Sequence, residues 1–417
     1  MLIDLAWRSL LNRRATALIS MLTIAISVAL LAGVEKIRQD MRDGFFNTVS
    51  GTDLIIGARS GQVELLLYSV FHLGSATNNI RWQSYQRVSS DPAVAWSVPL
   101  SLGDSHKGFR VVGTSQAFFQ HYHYGKDRPL KLAAGTPFKG LHQVTLGAQV
   151  ARTLGYQIGD EIVVAHGLGS TSFAQHKDQP FRVVGILAPT GTPVDRSLLV
   201  SLESITAIHV GWRAGVPMPG LSVTPDKLAQ MDLTPDQITA FMVGLKSKTS
   251  VFQLQRAINN YPGEPLLAIL PGVALQELWK VIGRIEQAML AISACVVLAG
   301  LTGMFGVLLT SVQQRRRELA LMRAIGASPR HLLLLVLLEA ILLTAGGIGG
   351  GLALLWSVLL LGQETLADNF GLYLTLSWPQ GLSLIVAGVF LAGIVAGTLP
   401  ALSAWRYTLA DGLTPKT

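Results

Sequence analysis

Polar and apolar positions along this chain fall into two regimes. Four long blocks are nearly free of ionisable side chains: Ala15 to Val34, then 288–312, 331–361 and 381–405. The first, ATALISMLTIAISVALLAGV, has the ~20 apolar residues a helix needs to cross ~30 Å of hydrocarbon. The third is long enough to cross with tilt or to protrude. Between the first two blocks, residues 35–287 mix polar and apolar positions as water-soluble protein does. The pattern predicts an α-helical membrane protein with four transmembrane helices and a large α+β domain between spans one and two.

Both edges of that domain carry helical periodicity. Val34, Ile37, Met41 and Phe45 continue the first span, and Leu275, Leu278, Ile282 and Ile285 lead into the second. Two such helices entering the membrane side by side make a stalk; surface helices packed on the domain are the plainer alternative. Inside the domain, TDLIIGA, ITAFMVGL and PLLAIL read as strands. SGQVELLLYSVFHLG and SVFQLQRAINNY read as helices, the latter with Ser250 as a cap. These five segments make an α+β unit from the domain's two ends. Between them, over about 100–215, FRVVG, QVTLG, DEIVVAHG and FRVVGILA are strand-like runs punctuated by glycine and proline, a β-rich insertion.

Composition agrees with the membrane assignment: 14% of residues are charged, against about a quarter in an ordinary soluble domain. The formal charge of +8 could suggest nucleic acid. Its placement excludes that. Arg8, Arg13 and Arg14 precede the first span; Arg315, Arg316, Arg317, Arg323 and Arg330 lie in the loop 313–330; Arg406 and Lys416 lie in the tail 406–417. The loop 362–380 has no Lys or Arg. Positive charge stays on the cytoplasmic side of a membrane, so 1–34 enters from the cytoplasm and 35–287 is extracytoplasmic. A cleaved signal peptide is the alternative for the first block. Its apolar part exceeds the usual ~7–15 residues and no A-x-A site follows, which favours an uncleaved anchor. The single Cys295 excludes an intrachain disulfide and a cysteine metal cluster.

Signs of catalysis are absent. No G-x-x-x-x-G-K-[ST], H-E-x-x-H or G-x-S-x-G occurs, so the chain is read as a non-enzyme without a cofactor of its own. FFQHYHYGKD places His121 and His123 two apart, where a strand would put both on one face, and His106, His142, His166 or His176 could approach. An aromatic polar surface is the preferred reading, so no metal site is assigned. In the spans, Gly346/Gly350, Gly347/Gly351 and Gly393/Gly397 form small-xxx-small pairs that allow close helix approach. Glu339 is an acid inside a span, costly there and hence a structural or functional site.

The stretch 310–335, TSVQQRRRELALMRAIGASPRHLLLL, predicts a short basic helix, a stop at Gly326 in the left-handed conformation, and a new helix capped by Ser328 with Pro329 in its first position. Topogenic charge lying on anionic lipid and a docking helix for a cytoplasmic partner both fit this pattern.

RRRELALMRAIGASPRHLLLLVLLEAILLTAGGIGGGLALL (315–355) resembles the signature of the FtsX/MacB superfamily of ABC permeases, at Glu318, Ala320, Arg323, Ala324, Gly326, Ala327, Ser328, Glu339 and the glycines from Gly346. The opening AWRSLLNRRATALISMLTIAISVALLAG is similar to the family's first span. LGAQVARTLGYQIGDEIVV and FRVVGILAPTGTPVDRSLLVSL resemble its extracytoplasmic domain, with turns at Gly159–Asp160 and Gly191–Asp195. LPALSAWRYTLADGL resembles its closing segment, although Ala410 stands where a proline is usual.

The resemblance implies that Arg315, Arg316, Arg317, Glu318, Leu321, Met322, Arg323, Ile325 and Gly326 form a coupling helix seated on an ABC ATPase. That ATPase is expected as a separate cytoplasmic chain binding ATP and Mg. It further implies a permease homodimer in the bacterial inner membrane, with a periplasmic adaptor or substrate-binding protein as a further partner. The expected activity is mechanotransmission: ATP-driven motion carried through the stalks to export or extract a hydrophobic or peptide-like substrate. An FtsX-like scaffold activating a cell-wall hydrolase is the alternative.

Overall fold

Long apolar runs fold as helices in hydrocarbon because a helix satisfies its own backbone. The computed structural model describes residues 2–48, 50–125, 127–167, 176, 178–213, 216–217, 228, 231–370 and 376–406. The chain divides into two units, one from Met1–Met41, Ile282–Asn369 and Tyr373–Thr417, the other chiefly from Arg42–Val281.

Among the described residues, four helices are apolar and long enough to cross a membrane, and their apolar stretches lie in the first unit. The long helices are Arg14–Asn47, Pro271–Gln314, Pro329–Phe370 and Leu382–Arg406. The second and third have 44 and 42 residues, ~60 Å at ~1.5 Å per residue and twice the hydrocarbon thickness. These helices run beyond the apolar blocks at 15–34, 288–312 and 331–361, because hydropathy marks the lipid-facing part of a helix and not its ends. A separate helix, Leu2–Asn12, precedes the first span.

Glycines set the spacing in this bundle. A Cβ at Gly347 would stand 2.6 Å from Cβ of Ile24, and one at Gly351 2.6 Å from the Ala25 carbonyl oxygen. Gly346 and Gly350 face Met21 and Ala25 at ordinary contact or slightly closer. On the fourth helix, a Cβ at Gly393 or Gly397 would overlap Thr344 or Ala340 of the third. The first and second helices touch through Ser27, whose hydroxyl reaches the Val296 carbonyl at 3.2 Å.

The second unit is built on one mixed sheet of eleven strands. Its main strands are β1 (Leu54–Ala58), β2 (Val94–His106), β3 (Phe109–Thr114), β4 (Leu132–Gly135), β5 (Gln143–Leu146), β6 (Phe181–Leu187), β7 (Ser197–Ser201), β8 (Ala240–Leu245) and β9 (Leu266–Ile269). Their order is β9-β1-β8-β2-β3-β7-β5-β6-β4. The β3–β7 and β5–β6 pairs are parallel. The domain's two ends meet at β1, where Ile55 pairs with Met242 on one side and Ile269 on the other.

Period-two alternation divides the core between the two faces of the sheet. Ile55 joins Leu65, Leu66 and Tyr68 on one face. Leu54 and Ile56 join Val251, Leu254 and Ile258 on the opposite one. The segment expected as a β-rich insertion extends this same sheet through β2 and β3 instead of standing apart from it.

Several local expectations need correction. DEIVVAHG forms two short strands, Glu161–Ile162 and Ala165–His166, rather than one. His121 ends a helix, Ala117–His121, and His123 opens a strand, so the two share no strand face. Ser250 makes no side-chain cap; its hydroxyl donates to the Ser247 carbonyl at 2.7 Å.

Candidate functional site: the basic turn and its buried carboxylate

The second long helix ends at Gln314, and Arg315 breaks it with φ −95° and ψ 14°. A nine-residue helix follows, Arg316–Ala324. Gly326 stops it with φ +102°, a region where a Cβ is strained. The Ala327 N–H donates back to the Met322 carbonyl at 2.9 Å, which closes the turn. The expected Ser328 cap takes another form. The Ser328 N–H donates to Nδ1 of His331 at 3.1 Å, and its hydroxyl meets the same nitrogen at 2.7 Å.

This short helix has two unlike sides. Leu319 and Ala320 are buried, and Met322 packs partly with Val312, Leu332, Val336 and Ala401. Leu321 and Ile325 are 62% and 87% exposed. Arg317 and Glu318 are exposed as well, while Arg316 and Arg323 are half-buried. A helix that leaves two large apolar side chains in the open beside arginines is suited to bind something.

Arg315 stands apart from its neighbours. Its guanidinium pairs with Glu339 at 3.0 Å and with Glu318 at 2.8 Å, and it also donates to the Ser9 hydroxyl. Ser9 in turn donates to Glu339, which is 3% exposed. Burial works against the arginine's charge, but the hydrogen bond to Glu318 and the field of Glu339 outweigh it and raise its pKa. The acid in the span is therefore an ion-pair partner, tying the amino-terminal helix and the third long helix to the start of the basic one. Beside it opens a cleft of about 700 Å³ lined in part by Arg13, Arg14, Thr310 and Gln314.

At the opposite end of the bundle, Arg38 bridges Glu35 at 2.6 Å and Glu286 at 3.0 Å, so the first two long helices run side by side there. Of the stalk positions, Leu275 is buried in the core of the sheet domain and Leu278 packs partly against it. Ile282 is half-buried; Ile37 and Ile285 are 41% and 64% exposed. Val34 and Met41 are half-buried, and the Phe45 side chain lies outside the described residues, as do Ala410 and Lys416. His121 stacks flat on Trp96 at 4.7 Å, and His123 pairs with Asp127 at 3.3 Å, neither of them a ligand-like arrangement. The partnership of Ser9, Arg315 and Glu339 left no trace in local sequence, because nothing in periodicity singles out one arginine of three.

Comparison with known proteins gives this arrangement a family. A family model described as the MacB-like periplasmic core domain matches residues 17–261, and one described as the FtsX-like permease C-terminal matches 290–409. The chain belongs to the FtsX/MacB family of ABC permeases. As such a permease it is a multi-pass protein of the inner membrane.

Among its curated relatives is the macrolide export ATP-binding/permease protein MacB of Brucella abortus (strain 2308). The two are 26% identical over 337 residues, 78% of this chain and 46% of the relative. Another is the pyoverdine export ATP-binding/permease protein PvdT of Pseudomonas entomophila (strain L48), 25% identical over 78% of this chain and 45% of its own length. The FtsX/MacB-type chain thus spans about half the length of the curated relatives it matches. The solved periplasmic region of MacB from Actinobacillus actinomycetemcomitans covers 58% of this chain and 97% of its own, at 12% identity and a TM-score of 0.34.

Proposed function

We propose that this chain is the membrane subunit of an ABC exporter, coupling ATP hydrolysis on a separate cytoplasmic ATPase to motion of its sheet domain. The basic helix is the docking element, and Leu321 and Ile325 are the groups it offers. The observation that carries this reading is the two-sided build of Arg316–Ala324, buried at Leu319 and Ala320 and open at Leu321, with Ile325 just beyond. An apolar pair rimmed by arginines fits a complementary groove on a soluble partner better than it fits water. Relatives that carry export in their names favour an exporter over a signalling scaffold.

In this reading the sheet domain, inserted between spans one and two, is extracytoplasmic. The helices joined by Arg38 and Glu286 are the stalks, and two copies with two ATPases complete the machine. The arginine-anchored turn matters mechanically: a push on the basic helix reaches the third span through Arg315 and Glu339 without a flexible linker. The substrate class is hydrophobic or peptide-like, and ATP has to favour one stalk arrangement over another.

The test is purification of the tagged full chain from membranes in mild detergent, with ATPase activity assayed in the eluate. An ATP-hydrolysing subunit should accompany the wild type in a stoichiometric ratio. It should be lost from Leu321→Asp and Ile325→Asp variants that still migrate as folded protein. Retention of the ATPase by both variants would exclude this helix as its seat.

A further inference from the structure

A second cluster of chemistry lies in the sheet domain, away from the basic turn. Asp104 sits on β2 at a register shift between Leu102 and Ser105. Irregularities of this kind re-aim side chains and recur next to functional sites. His166, on the short strand paired with β2, stands directly opposite it. His209 ends the helix Leu202–His209. His176 arrives on a fourth segment, its N–H bonded to the Val164 carbonyl at 2.9 Å. Each of the four offers one ligand atom, and these atoms lie within 4.8 Å of one another.

The geometry is more specific than mere proximity. Nδ1 of His166 is 3.0 Å from Oδ1 of Asp104, Nε2 of His209 is 3.7 Å from the same oxygen, and the two ring nitrogens are 3.3 Å apart. A tetrahedral ion with bonds of ~2.0–2.1 Å has ligand-to-ligand edges of about 3.4 Å. The three separations bracket that value. His209 donates from Nδ1 to the Ile205 carbonyl at 2.7 Å, which leaves Nε2 as the lone-pair nitrogen facing the cluster, the orienting bond that metal-ligating imidazoles use.

His176 supplies an independent observation. It is 1% exposed, and neither ring nitrogen has a hydrogen-bond partner among the described residues. A buried polar side chain left in that state costs free energy unless something completes it. Trp212 packs against its ring at 4.1 Å. A purely structural hydrogen-bond network accounts for Asp104, His166 and His209 but leaves His176 with no role.

We propose that Asp104, His166, His176 and His209 bind one divalent transition-metal ion of the zinc type. Three neutral imidazoles and one carboxylate are a borderline N₃O set. Calcium and magnesium prefer oxygen ligands, and copper(I) prefers thiolates. Four protein ligands make a closed, structural site rather than one with an open position for a reactant. The ion cross-links four separate segments of the sheet domain, and its presence stabilises the fold by mass action.

The test uses the full chain in detergent, carrying an affinity tag without histidine, stripped with a chelator and dialysed. Zn²⁺ titration should end at one equivalent per chain, and Co²⁺ should give the intense visible bands of four-coordination. Re-chelation should lower the melting temperature. The His176→Ala/His209→Ala variant should lose the equivalent, and His121→Ala/His123→Ala should keep it. If the first variant does not fold, Asp104→Asn, which preserves shape, is expected to weaken zinc binding and alter the cobalt bands. No stoichiometric uptake by the wild type, a weak six-coordinate cobalt spectrum, or full retention of zinc after loss of His176 and His209 would each overturn the site.

Discussion

Arg315 and Glu339 pair at 3.0 Å across the junction of the basic turn and the third long helix, with Ser9 joining both. Removing Arg315 leaves the buried Glu339 charge uncompensated, a loss of roughly 3–5 kcal/mol, whereas Arg315 without Glu339 keeps Glu318 at 2.8 Å and loses less. Removing both charges costs less, because no orphan remains. Arg315→Leu should therefore lower the detergent melting temperature more than either Glu339→Leu or the double variant does. Equal or additive losses in the three proteins would show that the pair is not coupled.

The glycine contacts can be tested two residues apart. Gly351→Ala puts a Cβ 2.6 Å from the Ala25 carbonyl and 2.9 Å from Val28, where backbone must move. Overpacking of that kind costs about 1–3 kcal/mol. Gly349→Ala, on the same helix, meets nothing within 4 Å. Melting curves of the two variants should separate clearly, with Gly349→Ala at or above the wild type. Coincident curves would mean that the first and third long helices do not approach through Gly351.

Legibility followed the range of each interaction. Runs such as TDLIIGA and PLLAIL announce their strands, because a short, continuous apolar run bounded by polar or turn residues is a property of a few neighbouring positions. β2 was unreadable: VAWSVPLSLGDSH contains Pro99 and Gly103, lacks alternation, and yet pairs with β3, β8 and the short strand bearing His166. Without β2 the middle of the domain reads as an insertion, and with it the segment is the continuation of one sheet. The basic turn shows the same divide. Gly326 and Pro329 mark its end in the sequence itself, but Ser9 lies 306 residues from Arg315 and only tertiary packing joins them. Likewise, FFQHYHYGKD drew attention to adjacent histidines, whereas the histidines that converge come from 166, 176 and 209.

The turn at Gly191–Asp195 rests on one carboxylate. Asp195 is fully buried and accepts from the Thr190 N–H at 2.9 Å, the Gly191 N–H at 2.8 Å and the Thr190 hydroxyl at 2.8 Å. Hydrogen bonds to a charged group contribute about 1.5–3 kcal/mol each when removed singly. Asp195→Ala strands three donors together and should destabilise the sheet domain by several kcal/mol, on the order of 3. Asp195→Asn keeps one acceptor oxygen and should fall between. Limited proteolysis of the full chain would register the ranking, and an Ala variant as resistant as the wild type would contradict it.

His72 gives the domain an acid sensitivity of definite sign. Its backbone is left-handed at φ +55°, and Nδ1 lies 2.8 Å from the Ser197 hydroxyl, which itself donates to the Pro193 carbonyl at 3.0 Å. Burial, helped by the Arg110 charge, lowers the imidazole from 6.5 to about 3. Between these values the unfolded chain binds a proton that the folded domain refuses, so stability falls as pH drops below ~6.5, by at most ~1.4 kcal/mol per unit. His72→Asn tolerates the left-handed backbone and cannot titrate. Melting temperatures of wild type and variant should therefore converge, or cross, on going from neutral pH to ~5. His106 and His176 are lowered in the same direction and His166 is raised, and they remain in both proteins, so the difference between the two curves isolates His72. Parallel curves would mean that this imidazole titrates normally in the folded domain.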